Sequence, residues 1–113
     1  MTESSYKKAL YIIVNIGFAD EVAEIMRNEG AGGATIINAR GSGAAPKSIL
    51  GITIDTEKEI ILSVVDEEMS EKIIRAVKEK AGLGTPCNSI CFTMPVDKFV
   101  MTNPQAPSNG SVK

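Results

Sequence analysis

The sequence predicts an α+β fold in which a four-stranded antiparallel sheet carries two helices on one face, in the order βαββαβ. Three observations predict it. Two amphipathic helical segments each stand between apolar, strand-like runs, so the order strand, helix, strand occurs twice. The run Ala9–Ile16 is apolar on both faces, which marks a central strand, and Ile60–Val65 reads as a second buried strand. A chain of 113 residues, 43% hydrophobic and 23% charged, suits a single domain with one hydrophobic core. Two right-handed crossover units packed in one sheet make a ferredoxin-like domain.

The first strand is Ala9–Ile16. Phe18, Val22, Ile25 and Met26 then recur at helical spacing, with Asp20 and Glu21 in the first turn where the helix dipole favours negative charge. Gly30 ends this helix as a left-handed cap, and Gly30–Gly33 turns the chain into a second strand over Ala34–Ala39. That glycine run is not a phosphate loop of the usual kind, since it follows a helix instead of preceding one. A glycine-bounded loop comes next, reaching Gly51; Ile52-Thr53-Ile54 alternate in strand fashion, and Asp55–Lys58 is a polar interruption before Ile60–Val65. Asp66, Glu67 and Glu68 open the second helix, Met69, Ile73, Ala76 and Val77 line its buried side, and Lys78 and Lys80 close it. Gly82–Pro86 forms the exit loop, and Asn88–Met94 is the last strand, stopped by Pro95, with a short edge element expected over Val96–Met101. The domain is therefore expected over residues 8–101, between a flexible N-terminus, 1–7, and a flexible tail, 102–113, rich in proline and small polar residues.

Helices cover only one face of such a sheet. Apolar residues expected on the other face, Tyr11, Ile13, Ile61 and Val64, call for another cover, and self-association supplies it. No apolar run approaches the roughly 18 residues of a membrane span. The N-terminal residues do not read as a secretory signal, so a cytoplasmic protein without membrane insertion is expected. A net charge of −2 gives no broad basic field, and only two tyrosines and three phenylalanines occur, which together argue against nucleic-acid binding.

Catalysis of the Ser-His-Asp or Cys-His kind is excluded in its usual form because the chain has no histidine. The carboxylates at Asp20–Glu21 and Asp66–Glu68 stand at helix starts, where the dipole accounts for them. Cys87 and Cys91 look like residues of one strand, about 13 Å apart at about 3.3 Å per residue, too far for a disulfide. They read as buried or half-buried thiols, with no metal site expected. The sharpest candidate for a ligand surface is the loop after the second strand. Gly41, Ser42 and Gly43 allow left-handed backbone angles and close approach, and Arg40 and Lys47 bracket them with positive charge.

The runs Ile12–Asn15, Asp20–Val22, Asn38–Gly43, Glu59–Leu62 and Phe92–Lys98, taken in order, resemble the PII nitrogen-regulatory signalling family over roughly residues 8 to 101. That resemblance implies a ferredoxin-like homotrimer that binds adenine nucleotides between subunits and presents a long loop, the T-loop, after an Arg-Gly-x-Gly turn to the proteins it regulates. Arg40-Gly41-Ser42-Gly43 matches that turn, and Thr93-Met94-Pro95-Val96 resembles the end of the family's last strand. The departures are equally informative. The loop Ala44–Gly51 is short and has no tyrosine to accept a uridylyl group, and Ala44 and Ala45 stand where the family has a glutamine that helps hold 2-oxoglutarate. Cys87-Asn88-Ser89-Ile90 replaces the family's phosphate-binding Gly-x-Gly-Lys, and its late arginines fall near Met101 and Asn103.

What the resemblance implies is a non-enzymatic, trimeric sensor in nitrogen regulation that binds a small effector and signals through the short loop to a protein partner. The implied ligand-binding residues are Arg40, Gly41, Ser42, Gly43, Lys47, Gly82, Gly84, Asn88 and Ser89. With so few cations, the expected ligand is ADP or AMP over ATP, or another compact anion. The alternative is a trimeric metal-handling protein of the CutA type using Cys87 and Cys91. A small ferredoxin-like isomerase or monooxygenase is a poorer alternative without histidine.

Overall fold

The computed structural model describes residues 7–41, 48–49, 52–53 and 57–100. The elements are β1 (Lys7–Asn15), α1 (Ala19–Asn28), β2 (Thr35–Arg40), β3 (Ser48–Ile49), β4 (Ile52–Thr53), β5 (Glu57–Asp66), α2 (Glu67–Ala81) and β6 (Ile90–Pro95). Four strands form one antiparallel sheet in the order β2-β5-β1-β6, and β3 pairs with β4 as a separate small hairpin. Both long crossovers, β1 to β2 and β5 to β6, skip one strand, as two interleaved β-α-β units require. This is the expected ferredoxin-like fold.

Period-two alternation assigns the two faces of the sheet. Leu10, Ile12 and Val14 of β1, with Ile61 and Val65 of β5, point under the helices and are fully or almost fully buried. Val22, Ile25 and Met26 of α1 and Ile73, Ala76, Val77 and Ala81 of α2 close over them. Ser63 lies on the same buried row, where its hydroxyl donates to Gly33 O at 2.7 Å and so is not left unpaired. Gly30 has φ 105°, a left-handed angle that favours glycine, and a Cβ there would stand 3.2 Å from Met69 Cε, close enough that the methionine would have to shift slightly.

Neither helix is capped by its own N-cap side chain. For α1 the acceptor comes from the sheet instead: Glu59 Oε1 accepts from the backbone N–H groups of Gly17 and Ala19, each at 3.0 Å. A carboxylate there satisfies orphan donors and also meets the positive end of the dipole. Glu59→Ala is therefore expected to lower stability by about 2 kcal/mol, since two charge-assisted bonds to a partly buried site are lost. Urea unfolding should show a lower midpoint with an unchanged slope, and a midpoint equal to wild type would mean that this cap contributes nothing.

Three expectations need correction. Ile61 belongs to the core and not to the uncovered face, because it stands opposite the buried Ile12 in the β1–β5 ladder. Glu57 and Lys58, expected in the polar interruption, are part of β5, paired with Arg40 and Ala39, while Asp55 and Thr56 lie outside the described residues. Val96–Val100 adds no strand; Val96 N–H donates to Lys7 O, Lys7 forms an ion pair with Asp66 at 2.9 Å, and its ammonium lies 5.8 Å from the Phe99 ring.

The face away from the helices is apolar across all four strands. Ala9, Tyr11 and Ile13 of β1 stand in register with Val64, Leu62 and Ile60 of β5 on one side. On the other side they stand in register with Met94, Phe92 and Ile90 of β6, and Ile37 of β2 extends the row beyond Ile60. The Tyr11 and Phe92 rings stack with centroids 4.8 Å apart. Ile90 is 59% exposed and Met94 49% in the single chain, a continuity of exposed apolar surface that soluble monomers rarely carry. Among the described residues, no helix is long and apolar enough to cross a membrane.

Candidate functional site

One end of the sheet collects the C-termini of β1 and β2 and the N-termini of β5 and β6. Arg40 closes β2 directly opposite Glu57, and Ala39 stands opposite Lys58. Ile16, Asn38, Ala39, Arg40, Glu57 and Lys58 line an open cleft of about 420 Å³ at this end. Two basic residues, Arg40 and Lys58, and one acidic residue, Glu57, are among those lining residues; Arg40 is exposed and shares the helix-side row with Glu57, while Lys58 belongs to the outer row. The cleft sits at the root of the 41–56 segment, where a bound anion would meet charge and a partly apolar wall formed by Ile16 and Ala39.

Lys58 continues the outer row of β5, on the face that the helices leave uncovered, and so does Asn15 on β1. Lys58 Nζ donates to Asn15 Oδ1 at 2.7 Å, and Asn15 Nδ2 donates to Pro86 O at 2.8 Å. Asn15 N–H donates to Cys87 O at 3.1 Å, and Ile16 N–H donates to Glu57 O at 3.2 Å. Through these bonds the loop between α2 and β6 is tied to the base of the 41–56 segment.

Arg40 and Gly41 lie beside this cleft, whereas Ser42, Gly43 and Lys47 lie outside the described residues. Gly82, Gly84, Asn88 and Ser89 fall in the α2–β6 loop, at the same end of the sheet. Arg40, on β2, is separated from that loop, which leads into β6, by the width of the four-stranded sheet, roughly 14 Å at about 4.8 Å per strand, and no residue of the loop is among those lining the cleft. Gly82 is buried, and a Cβ there would lie 2.6 Å from Lys78 O, so it is needed to let the chain leave α2. Its carbonyl accepts from Thr85 N–H and Thr85 Oγ1. Asn88 N–H donates to Thr85 Oγ1 and Ser89 N–H to Ala81 O, which commits both amides inside the loop.

Sequence reasoning missed Lys58 and Asn15. A lysine just before a buried strand and an asparagine closing an apolar one were both legible as polar residues at strand ends, but only the ladder places them side by side.

Cys87 lies in the loop and not in the last strand, because β6 begins at Ile90. Its thiol is buried, and Cys91 packs against the same core. Burial, with added repulsion from Glu21 and Cys91, pushes the Cys87 thiol from the ordinary value of 9.0 up to about 11. Burial also raises Cys91, while a hydrogen bond with the Ser89 side chain works the other way. A thiol raised by about two pH units has about a hundredfold less thiolate at about pH 8. Native Cys87 is therefore expected to react with iodoacetamide at least about a hundredfold more slowly than the urea-unfolded chain. A raised folded-state value favours the folded state below the ordinary thiol pKa, and that contribution is lost as pH climbs from 9.0 toward about 11. Stability should fall across that window, and equal alkylation rates in the native and unfolded chains would refute the assignment. Thiols directed into the core also make poor ligands for a metal shared between subunits, and among the described residues no group of three or more cysteines and carboxylates could hold a metal ion.

A family model described as nitrogen regulatory protein P-II matches residues 7–105. No curated protein sequence matches the chain significantly. Among solved structures, a PII-like signalling protein of Thermus thermophilus is 21% identical with a TM-score of 0.63, covering 81% of this chain and 87% of its own. GlnK of Bacillus subtilis is 16% identical with a TM-score of 0.64 and coverage of 82% and 87%. PII of Arabidopsis thaliana, solved with citrate bound, is 20% identical with a TM-score of 0.66 and coverage of 87% and 82%. At these identities the structural likeness speaks for the fold, and the family match carries the rest.

Proposed function

The chain belongs to the nitrogen regulatory protein P-II family, and from that premise we propose that it is a non-enzymatic homotrimeric signalling protein of the cytoplasm. In this reading it binds a compact anion between subunits and reports its presence to a protein partner through the segment after Gly41. The observation that carries the reading is the cleft with Arg40 and Lys58 at the root of that segment, bordering the apolar face that a neighbouring copy would cover. Packing of copies on that face would bring the α2–β6 loop of one chain toward the cleft of another, joining it to Arg40, from which the width of the sheet separates it within one chain. Binding would then order the loop and shift its population without chemistry.

Two cations suit a ligand with few charges, such as ADP, AMP or a small carboxylate. The Arabidopsis thaliana relative was solved with citrate, which belongs to that class. A thermal-shift screen of ADP, AMP, ATP, citrate and 2-oxoglutarate tests the reading. At about one hundred times its Kd a ligand should add about 2.7 kcal/mol to stability. The shift should disappear in the Arg40→Ala/Lys58→Met double variant. A shift that survives in the double variant moves the site elsewhere, and no shift with any of these compounds removes this effector class.

A further inference from the structure

Asn15 joins the 82–89 loop to the start of β5 through one amide. Its Nδ2 donates to Pro86 O at 2.8 Å while its Oδ1 accepts from Lys58 Nζ at 2.7 Å. The partners fix the orientation of that amide, because the Pro86 carbonyl can only accept and the ammonium can only donate. A flipped amide would set N–H against ammonium and oxygen against oxygen.

The 82–89 loop has little else from outside itself to hold it. Leu83 at its tip is 90% exposed, and Pro86 and Asn88 are exposed. Thr85 N–H bonds Gly82 O within the loop, and Ser89 N–H bonds the end of α2 at Ala81 O. Asn88 holds a left-handed φ of 50°, a conformation that asparagine adopts more readily than most residues other than glycine. Outside attachment comes from the buried Cys87 and from Asn15, which binds both the Pro86 and the Cys87 carbonyls.

We propose that Asn15 is a positioning residue that makes the order of the 82–89 loop depend on Lys58. While the ammonium holds Oδ1, Nδ2 is aimed at Pro86. When the ammonium is drawn toward an anion in the cleft, the amide is free to turn and the loop loosens. The trigger by a bound anion rests on the effector reading above, whereas the linkage between Lys58, Asn15 and the loop does not.

Amide hydrogen exchange on the unliganded protein tests the linkage. Lys58→Met should speed exchange of the Asn15, Thr85 and Ser89 amides about fivefold or more, while Ile12 and Leu62 at the sheet centre keep their rates. Lys58→Arg should restore protection. Asn15→Asp keeps an acceptor for Lys58 but has no donor for Pro86, so it should loosen the loop with Lys58 in place. Unchanged exchange over 82–89 in Lys58→Met overturns the proposal. An equal rise along the whole chain overturns it too, since that is global destabilisation. Because no ligand is present, these outcomes are independent of the ligand screen that decides the effector reading.

Discussion

Leu62→Asp is expected to turn the proposed trimer into a monomer. Leu62 stands at the middle of the uncovered face, opposite Tyr11 in one ladder and Thr35 in the other, and Tyr11 in turn stacks on Phe92. A carboxylate there would have to enter an apolar interface without a partner, at a cost of several kcal/mol per copy. Removing the leucine side chain forfeits a further contribution of about 2 kcal/mol. Together these losses weaken association by at least about a thousandfold. The side chain points away from the helices, so the core is untouched and the circular dichroism spectrum should be that of the wild type. Light scattering at micromolar concentration reads the outcome. A monomeric wild type would remove the trimer, and a trimeric Leu62→Asp would show that another face mediates it.

Much of this architecture was legible in the sequence because apolar periodicity reports burial directly. Helix α1 was marked by Phe18, Val22, Ile25 and Met26, and β1 by its unbroken apolar run. The assignment of faces in β5 was not legible to the same degree. Ile60, Ile61, Leu62, Val64 and Val65 are all apolar, so the sequence holds no alternation to say which row faces the helices; the pairing of Ile61 with Ile12 decides it. Ser63 was the available clue, and it misleads, because a polar residue on the buried row is tolerated when Gly33 O accepts from it. Of the residues lining the candidate cleft, Arg40 was legible, at the end of a strand that runs into small residues. Lys58 and Asn15 were not, since their roles arise from strands that are 43 residues apart in the chain and adjacent only in the sheet. The expected ligand residues Ser42, Gly43 and Lys47 lie outside the described residues.

Discrimination against the triphosphate should be the other large effect. PII-type proteins are implied to hold phosphates with cations from two loops, and in this chain the corresponding run is Cys87-Asn88-Ser89-Ile90. Cys87 is buried as a neutral thiol, and the Asn88 and Ser89 amides are spent on Thr85 and Ala81, so that loop offers a phosphate neither charge nor those two donors in its present form. The cations at the cleft are Arg40 and Lys58, with Lys47 placed nearby by the sequence alone. Each charge-assisted hydrogen bond that goes unmade forfeits about 1.5 to 3 kcal/mol, and two or three of them amount to at least about a hundredfold in affinity. ATP is therefore expected to bind more weakly than about 1 mM, equivalent to roughly −4.1 kcal/mol, with ADP, AMP or citrate binding at least as well. Isothermal calorimetry with and without magnesium makes the comparison, using Arg40→Ala and Lys58→Met singly and together. Each single change should weaken the preferred ligand by about tenfold or more, because each removes a charged donor from a small anion. A micromolar, magnesium-dependent ATP affinity that persists in the double variant would mean that other groups hold the phosphates, and the cleft would no longer stand as the effector site.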